Sequence, residues 1–359
     1  MERERWEWRP GDPGHPADVL ASFLQEHGLG GPLGAQRGDT AVALLAGANG
    51  CAHLGGLPAG RSSPVPTVPE LVAVAYVPGR TASGAQVARH RPVAGWTRSW
   101  TDTEHAAAVG VVRAAIGRGE VYQANVVGHR HAAHRCDPLA LARAVAALPG
   151  ATYRGVLAGA GWAVGCASPE QLVRVEGDRI TTVPIKGTLP VTPGSREELL
   201  ASPKDRAEHI MIVDLERNDL ARVARTGSVE VERLYELADW SGLWQAASTV
   251  AARLRADVAM IDVLAALLPG GSVTGAPKRA ACSLLAGLEP VGRGPSMGAL
   301  GLLWPGGLDL GLTIRTIAAT EDTVHLWAGG GITWGSDPQS EVEEAHAKAA
   351  PVLRALGQR

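Results

Sequence analysis

Strand-like and helix-like stretches follow one another along this chain in mixed order, and no strand–helix–strand rhythm repeats. A doubly wound parallel sheet needs that rhythm, because each parallel pair requires a crossover connection. The order therefore predicts an α+β fold, with large, mostly antiparallel sheets flanked by helices. With 359 residues, of which 45% are hydrophobic, the chain can bury a large core as one big unit or as two domains.

Residues 1–95 are rich in Gly and Pro and carry short apolar runs, AVALLAGA and ELVAVAYV, that read as strands or buried segments. They are expected to form a short N-terminal region packing on the core. The polar stretch around Arg89–Arg98 is the expected linker to a main domain over 96–359. There, TDTEHAAAVGVVRAAIGRGE has helical spacing with a Thr start and closes at Gly117–Gly119, and VYQANVVGHRHA alternates like a strand. GWAVGCASPE and QLVRVEGDRITTVP read as antiparallel strands leading to the turn-forming pentapeptide PIKGT at 184–188. Ser202, Pro203 and Asp205 fit N-cap, N1 and N3 of a helix that runs through AEHIMIVDLE and stops at the polar RND. A helix, a glycine-rich turn and a second helix follow over DVLAALLPGGSVTGAPKRAACSLLAGLEP. Strands over GALGLLWPGGLDLGLTIRTIAA and TVHLWAGGGITWG lead to a final helix capped by Ser336 or Asp337.

Charge narrows the function. The 34 Lys and Arg balance 36 Asp and Glu without a long single-sign run, which argues against a nucleic-acid footprint. Cys51, Cys136, Cys166 and Cys282 are widely spaced, as in a reduced cytoplasmic enzyme rather than a disulfide framework. The N-terminus has no apolar secretory core, and no apolar stretch reaches membrane-spanning length. A cytoplasmic location without a membrane partner is the expectation.

Several constellations are suited to chemistry. Lys186 in PIKGT is either a solvated loop lysine or an amine held against an electrophilic carbon, and the pentapeptide alone does not choose. Asp205 and Glu208 share a helix face, as do Glu341, Glu344 and Lys348. The two faces are either solvated surfaces with local ion pairs or a carboxylate clamp for one Mg²⁺. LPGGSVTGAPKRAA and AGGGITWGSDP read as glycine-rich turns before helices, whose amides can hold a carboxylate, but neither has P-loop or dinucleotide-fold spacing. Arg315 alternates with apolar neighbours on an expected strand, where a guanidinium needs a carboxylate partner. His129, His131 and His134 have no further Cys or His near them and read as an exposed strand end rather than a zinc site.

Taken in order, YQAN (122–125), SPE (168–170), PIKGT (184–188), SPKDRAEHIMIVDLERNDLARV (202–223), GGSVTGAPK (270–278), GALG (298–301), IRT (314–316) and GGGITWGSDPQSEVEEAHAK (329–348) resemble the motifs of the chorismate-utilising enzymes. That family includes component I of anthranilate synthase and of aminodeoxychorismate synthase, and the isochorismate and salicylate synthases. The resemblance covers about residues 100–355. It implies that 96–359 is a chorismate-binding catalytic domain with Mg²⁺ as cofactor. Glu208 and Glu344 match the metal ligands, with Asp205 and Glu341 in supporting acidic positions. Glu170 matches the general acid that protonates the departing C4 hydroxyl. Arg315, with backbone amides around Ser272 and Gly329 to Gly331, matches the cradle for the enolpyruvyl carboxylate, and Lys348 lies near metal and carboxylate. Gly187 and Thr188 complete the substrate contacts.

The resemblance also addresses Lys186. Anthranilate synthases usually read PIAGT, whereas aminodeoxychorismate synthases carry PIKGT, whose lysine adds to C2 before ammonia enters at C4. Gln123 also resembles the ammonia users, since isochorismate and salicylate synthases have lysine there. Two departures stand out: Gln245 where the family commonly has a histidine, which disfavours anthranilate formation, and Leu302 where many members have tyrosine. A chorismate-binding paralogue with little catalysis would lack the acid or metal residues, yet Glu170, Glu208 and Glu344 are present. The chain carries no glutaminase nucleophile elbow, so the resemblance implies ammonia from a separate glutamine amidotransferase subunit.

Overall fold

The computed structural model describes residues 1–77, 90–240 and 243–358. The N-terminal part contains β1 (Glu2–Trp8), α1 (Pro16–Glu26), β2 (Ala41–Ala46), α2 (Ala48–Leu54) and β3 (Leu71–Tyr76). Then come β4 (Thr97–Arg98), α3 (Asp102–Gly117), β5 (Gln123–Ala133), α4 (Pro138–Ala146), β6 (Tyr153–Gly159) and β7 (Trp162–Ser168). Next are β8 (Gln171–Glu176), β9 (Arg179–Val183), β10 (Ile185–Pro190), α5 (Ser195–Ala201), α6 (Pro203–Ala221), β11 (Glu230–Trp240) and β12 (Leu243–Arg253). The chain continues through α7 (Met260–Leu267), β13 (Gly275–Ala276), α8 (Lys278–Leu288), β14 (Ala299–Trp304) and β15 (Gly307–Leu312). It ends with β16 (Thr316–Thr320), β17 (Thr323–Ile332) and α9 (Pro338–Ala355).

These strands build two antiparallel sheets. A ten-stranded sheet runs β1-β3-β2-β14-β15-β8-β9-β12-β10, with β11 also on β12. A seven-stranded sheet runs β13-β5-β17-β16-β7-β6, with β4 on β5. The fold is α+β, as the mixed element order predicts. The N-terminal strands enter the larger sheet where β2 pairs with β14, and side chains from both faces of β2 and β3, among them Leu44, Leu45 and Leu71 to Ala75, belong to the largest core cluster. Arg89, at the start of the expected linker, lies outside the described residues, and its end, Thr97 and Arg98, is the short strand β4 on β5.

The chain passes between the sheets at two places that matter below. The connection from β7 to β8 carries Glu170, and that from β15 to β16 carries Arg315. The two crossings are stitched side by side: Leu312 N–H donates to Glu170 O at 3.1 Å, and Ala167 N–H donates to Arg315 O at 3.2 Å.

Four local expectations are corrected. PIKGT is not a turn but most of β10, paired with β12 and bulged at Gly187, whose φ of +75° suits glycine. For Gly329–Gly331 the turn reading gives way to the strand reading of TVHLWAGGGITWG: they lie in β17 opposite Val127, Val126 and Asn125 of β5. A Cβ at Gly329 would meet Val126 O at 1.9 Å, so only glycine allows that approach. The helix begun by Ser202 does not stop at RND, because Asp219 turns inward to an ion pair with Lys278 at 2.5 Å and extends the buried face. His129 is not at an exposed strand end: it is 4% exposed, with Ser99 Oγ 2.6 Å from its Nδ1 and His325 Nδ1 3.0 Å from its Nε2. Burial, and then the neighbouring His325, hold the His129 imidazole down at about 3.

Candidate active site

The structure gathers residues from β5, β10, α6, β17, α9 and both sheet crossings. Helix α6 starts as the sequence predicts, with Ser202 Oγ accepting from Asp205 N–H at 3.2 Å after which Pro203 fits the first turn. That start sets the phase of the helix and turns Glu208 toward β10. Glu208 then meets Lys186, with Nζ 3.6 Å from Oε1 and the two side chains only 10% and 11% exposed. Lys186 Nζ also donates to the Ser272 carbonyl at 3.3 Å. Gln123, fully buried at the start of β5, donates from Nε2 to Glu208 Oε1 at 3.2 Å. Its Oε1 is buried without a partner among the described residues, an acceptor left for a ligand.

Burial pushes the Glu208 carboxyl above the usual carboxylate range, and the Lys186 and Lys348 ammonium groups pull it back only in part. Glu170, 4% exposed, is pushed up for the same reason against the Lys186 charge, while the Ile185 amide donates to it at 3.3 Å. Burial shifts the Glu170 equilibrium toward its protonated form, the form a general acid needs.

Arg315 is not on a strand as expected; it occupies a bend with φ of +49° between β15 and β16. A non-glycine residue there carries a strain on the order of 1–3 kcal/mol, which the stitched crossings sustain. Its guanidinium is largely buried, with the Glu170 charge as the favourable influence on it.

On the other side, Lys348 Nζ lies 2.5 Å from Glu344 Oε1 and donates to Gly329 O at 3.1 Å. The glycines of β17 make the room here. A Cβ at Gly331 would stand 2.1 Å from Gln123 Nε2 and 2.7 Å from Glu208 Oε1. At Gly330 it would stand 3.1 Å from Glu341 Oε2 and 3.4 Å from Glu344 Oε1. Adjacent glycines thus form a cradle edged by carboxylates of α6 and α9. Hard carboxylate oxygens are the donors that suit Mg²⁺, which takes one or two carboxylates and keeps several waters. Among the described residues no three Asp, Glu, His or Cys side chains already converge on one point. Asp205 stands apart from the α9 pair, because its Oδ2 accepts from Ser202 Oγ–H at 2.5 Å and its Oδ1 is 3.5 Å from where a Gly187 Cβ would lie. Thr188 follows on β10, opposite Gln245.

Sequence reasoning missed the depth of the α6 face. His209, fully buried, contacts Ser248 Oγ through Nε2 at 2.5 Å and packs edge-on against Tyr235. Glu216 and Asp219 are each 3% exposed below Glu208. Burial, with the Asp219 charge, pushes Glu216 up to about 8. The spacing 205, 208, 212, 216, 219 is a single helical stripe, which was the available signal.

The solved structure of anthranilate synthase component I from Streptococcus pneumoniae superposes with a TM-score of 0.78, covering 98% of this chain and 90% of that one at 23% identity. It supports the fold. The chorismate binding enzyme family matches residues 69–354, and the chain belongs to that family. Among curated relatives, anthranilate synthase component 1 of Streptomyces coelicolor is 37% identical over 286 residues, 77% of this chain and 56% of the relative. Aminodeoxychorismate synthase component 1 of Klebsiella aerogenes is 35% identical over 268 residues, 73% of this chain and 59% of the relative. The chain therefore spans somewhat more than half the length of these relatives. Among the described residues no helix is long and apolar enough to cross a membrane.

Proposed function

We propose that the chain is the chorismate-converting component of an aminodeoxychorismate synthase, forming 4-amino-4-deoxychorismate from chorismate and ammonia in the cytoplasm. The observation that carries this reading is Lys186: its amine lies among buried groups, 3.6 Å from Glu208 and 3.3 Å from the Ser272 carbonyl, rather than in solvent. Relatives named aminodeoxychorismate synthase component 1 support it.

In this reading Lys186, as the neutral amine, bonds to C2 of the ring while the ring double bonds shift. The C4–O bond breaks, and Glu170 supplies the proton with which the hydroxyl leaves as water. Ammonia then bonds to C4, the double bonds shift back and the C2–N bond to Lys186 breaks, so the lysine is regenerated. Arg315 and the amides of Ser272, Gly329 and Gly331 hold the enolpyruvyl carboxylate; Gln123, Gly187, Thr188 and Lys348 line the remainder. Glu208 and Glu344, supported by Glu341, would hold Mg²⁺, while Asp205, held by Ser202, stays outside that set. When bound, the ion neutralises the ring carboxylate and the charge developing at C4. Ammonia comes from a separate glutamine amidotransferase subunit, and the product leads toward 4-aminobenzoate and folate.

A second reading, anthranilate synthase component I, is favoured by the relatives of that name. The test is a product assay with chorismate, Mg²⁺ and ammonium, with and without an aminodeoxychorismate lyase. The proposal expects 4-aminobenzoate only with the lyase, and its loss in Lys186→Ala. Direct anthranilate formation would replace it with the second reading.

A further inference from the structure

Helix α9 carries Glu341, Glu344 and Lys348, and its buried stripe consists of Glu341, Val342, Ala345, Ala349, Val352 and Leu353. At about 100° per residue, the three site residues lie roughly 40–100° to one side of Ala345, and His346 lies roughly 100° to the other. The helix is thus flanked by the site on one side and by His346 on the opposite side.

On the site flank the helix is tied to β17 by Lys348 donating to Gly329 O at 3.1 Å. On the far flank His346 is the centre of a polar chain. Its Nε2–H donates to Asp102 Oδ1 at 2.8 Å, and its Nδ1 accepts from the Arg130 guanidinium at 3.0 Å. Arg98 ion-pairs with the same Asp102 carboxylate and stands 3.2 Å from His346 Nε2. Asp102 is the first residue of α3, fixed there by the Thr101–Glu104 capping box. Arg98 and Arg130 are cross-strand partners on β4 and β5. One imidazole therefore ties α9 to α3 and to β5, the strand whose first residue is Gln123 of the site.

A helix seated through Val342, Ala345, Ala349, Val352 and Leu353 gets only non-directional resistance to rolling about its own axis from those contacts. A polar tie on each flank does resist it, because hydrogen bonds are directional. We propose that His346 is a positioning residue: through Asp102 and Arg130 it fixes the roll of α9, and so the direction in which Glu341 and Glu344 face the metal cradle. The inference rests on the reading of those glutamates as metal-holding. The tie itself is half exposed, with 37% of the His346 and 46% of the Asp102 side chain accessible, so it adds little to global stability. Orientation is what it governs.

The experiment compares wild type with His346→Leu, which keeps bulk but loses both hydrogen bonds, and His346→Gln, which keeps one donor and one acceptor. Amide hydrogen exchange over 338–348 is measured without metal, and Mn²⁺ binding is measured by electron paramagnetic resonance. The expected result is faster exchange confined to this segment in His346→Leu, Mn²⁺ affinity weakened about 10-fold, and most of both restored by His346→Gln. Steady-state rates should show a higher Mg²⁺ activation constant at unchanged saturating kcat. Unchanged exchange, unchanged Mn²⁺ affinity, or equal loss in the Leu and Gln variants would each overturn the tie. If wild type itself binds no Mn²⁺, the metal reading falls, and with it the metal-facing half of the proposal, while exchange still judges the tie.

Discussion

Lys186–Glu208 and Lys348–Glu344 bring the same two chemistries to the candidate site from different elements, and they differ in water. The first pair is separated by 3.6 Å, with side chains 10% and 11% exposed. The second is closer, at 2.5 Å, but 37% and 47% exposed. The shorter contact is the weaker one, because solvent screens it and the two flexible side chains lose entropy in making it. The longer contact is strongly coupled to its surroundings, because either partner alone would be a charge stranded away from water. In the proposed mechanism burial, not distance, separates the lysine assigned to covalent chemistry from the one assigned to holding a carboxylate.

The largest expected break in this comparison is chemical. Lys186→Met should abolish formation of the amino product, whereas Lys348→Met should raise the KM for chorismate and leave measurable turnover; mass spectrometry of the product and steady-state rates decide. Equal residual turnover in the two variants would remove the distinction. Glu170→Gln should lower kcat by roughly 10²- to 10⁴-fold, the range for a lost general acid. The wild-type rate should fall as pH rises through the Glu170 pKa, which lies above the usual carboxylate range because of burial.

Stability should separate the pairs next. Glu208→Ala leaves Lys186 buried without its carboxylate and should cost about 3 kcal/mol in urea unfolding. Glu344→Ala should cost less than about 1 kcal/mol. Similar losses would mean that the exposure difference does not hold in solution.

Glu216 extends the contrast below the site. Its folded-state pKa is raised to about 8, so between the ordinary carboxylate range and pH 8 the folded chain holds a proton that the unfolded chain has released. The stability share of this group is therefore full at low pH and is lost as pH rises toward 8. Glu216→Gln should gain stability on the order of 2 kcal/mol near pH 8 and nothing near pH 4. Unfolding at the two pH values checks the sign.

What the sequence alone determined was local. The Ser202-Pro203-Asp205 start, the strands read from AVALLAGA and VYQANVVGHRHA and the Asp337 cap of α9 all depend on neighbours within a few residues, and all are present. The carboxylate faces of α6 and α9 were legible from i, i+3 spacing for the same reason. The family motifs named the residues of the candidate site before any contact was known, although the roles of those residues remain part of the proposal.

Only the tertiary structure decided which of them meet. Lys186 looked like a turn residue because PIKGT is short and bracketed by Pro and Gly, but pairing with β12 makes it a strand. Gly329–Gly331 read both as a strand and as a glycine-rich turn; the structure keeps them in β17, where their lack of side chains serves close packing against β5 and the carboxylates of α6 and α9. Arg315 looked like a strand residue, yet it sits at positive φ on a crossing whose partner, Glu170, is far away in sequence. His346 gave no signal at all, since its partners come from α3 and β5. Hydrophobic periodicity reports which face of an element is buried. Which distant groups share that burial, and hence which charge is paired, is fixed only when the sheets close upon each other.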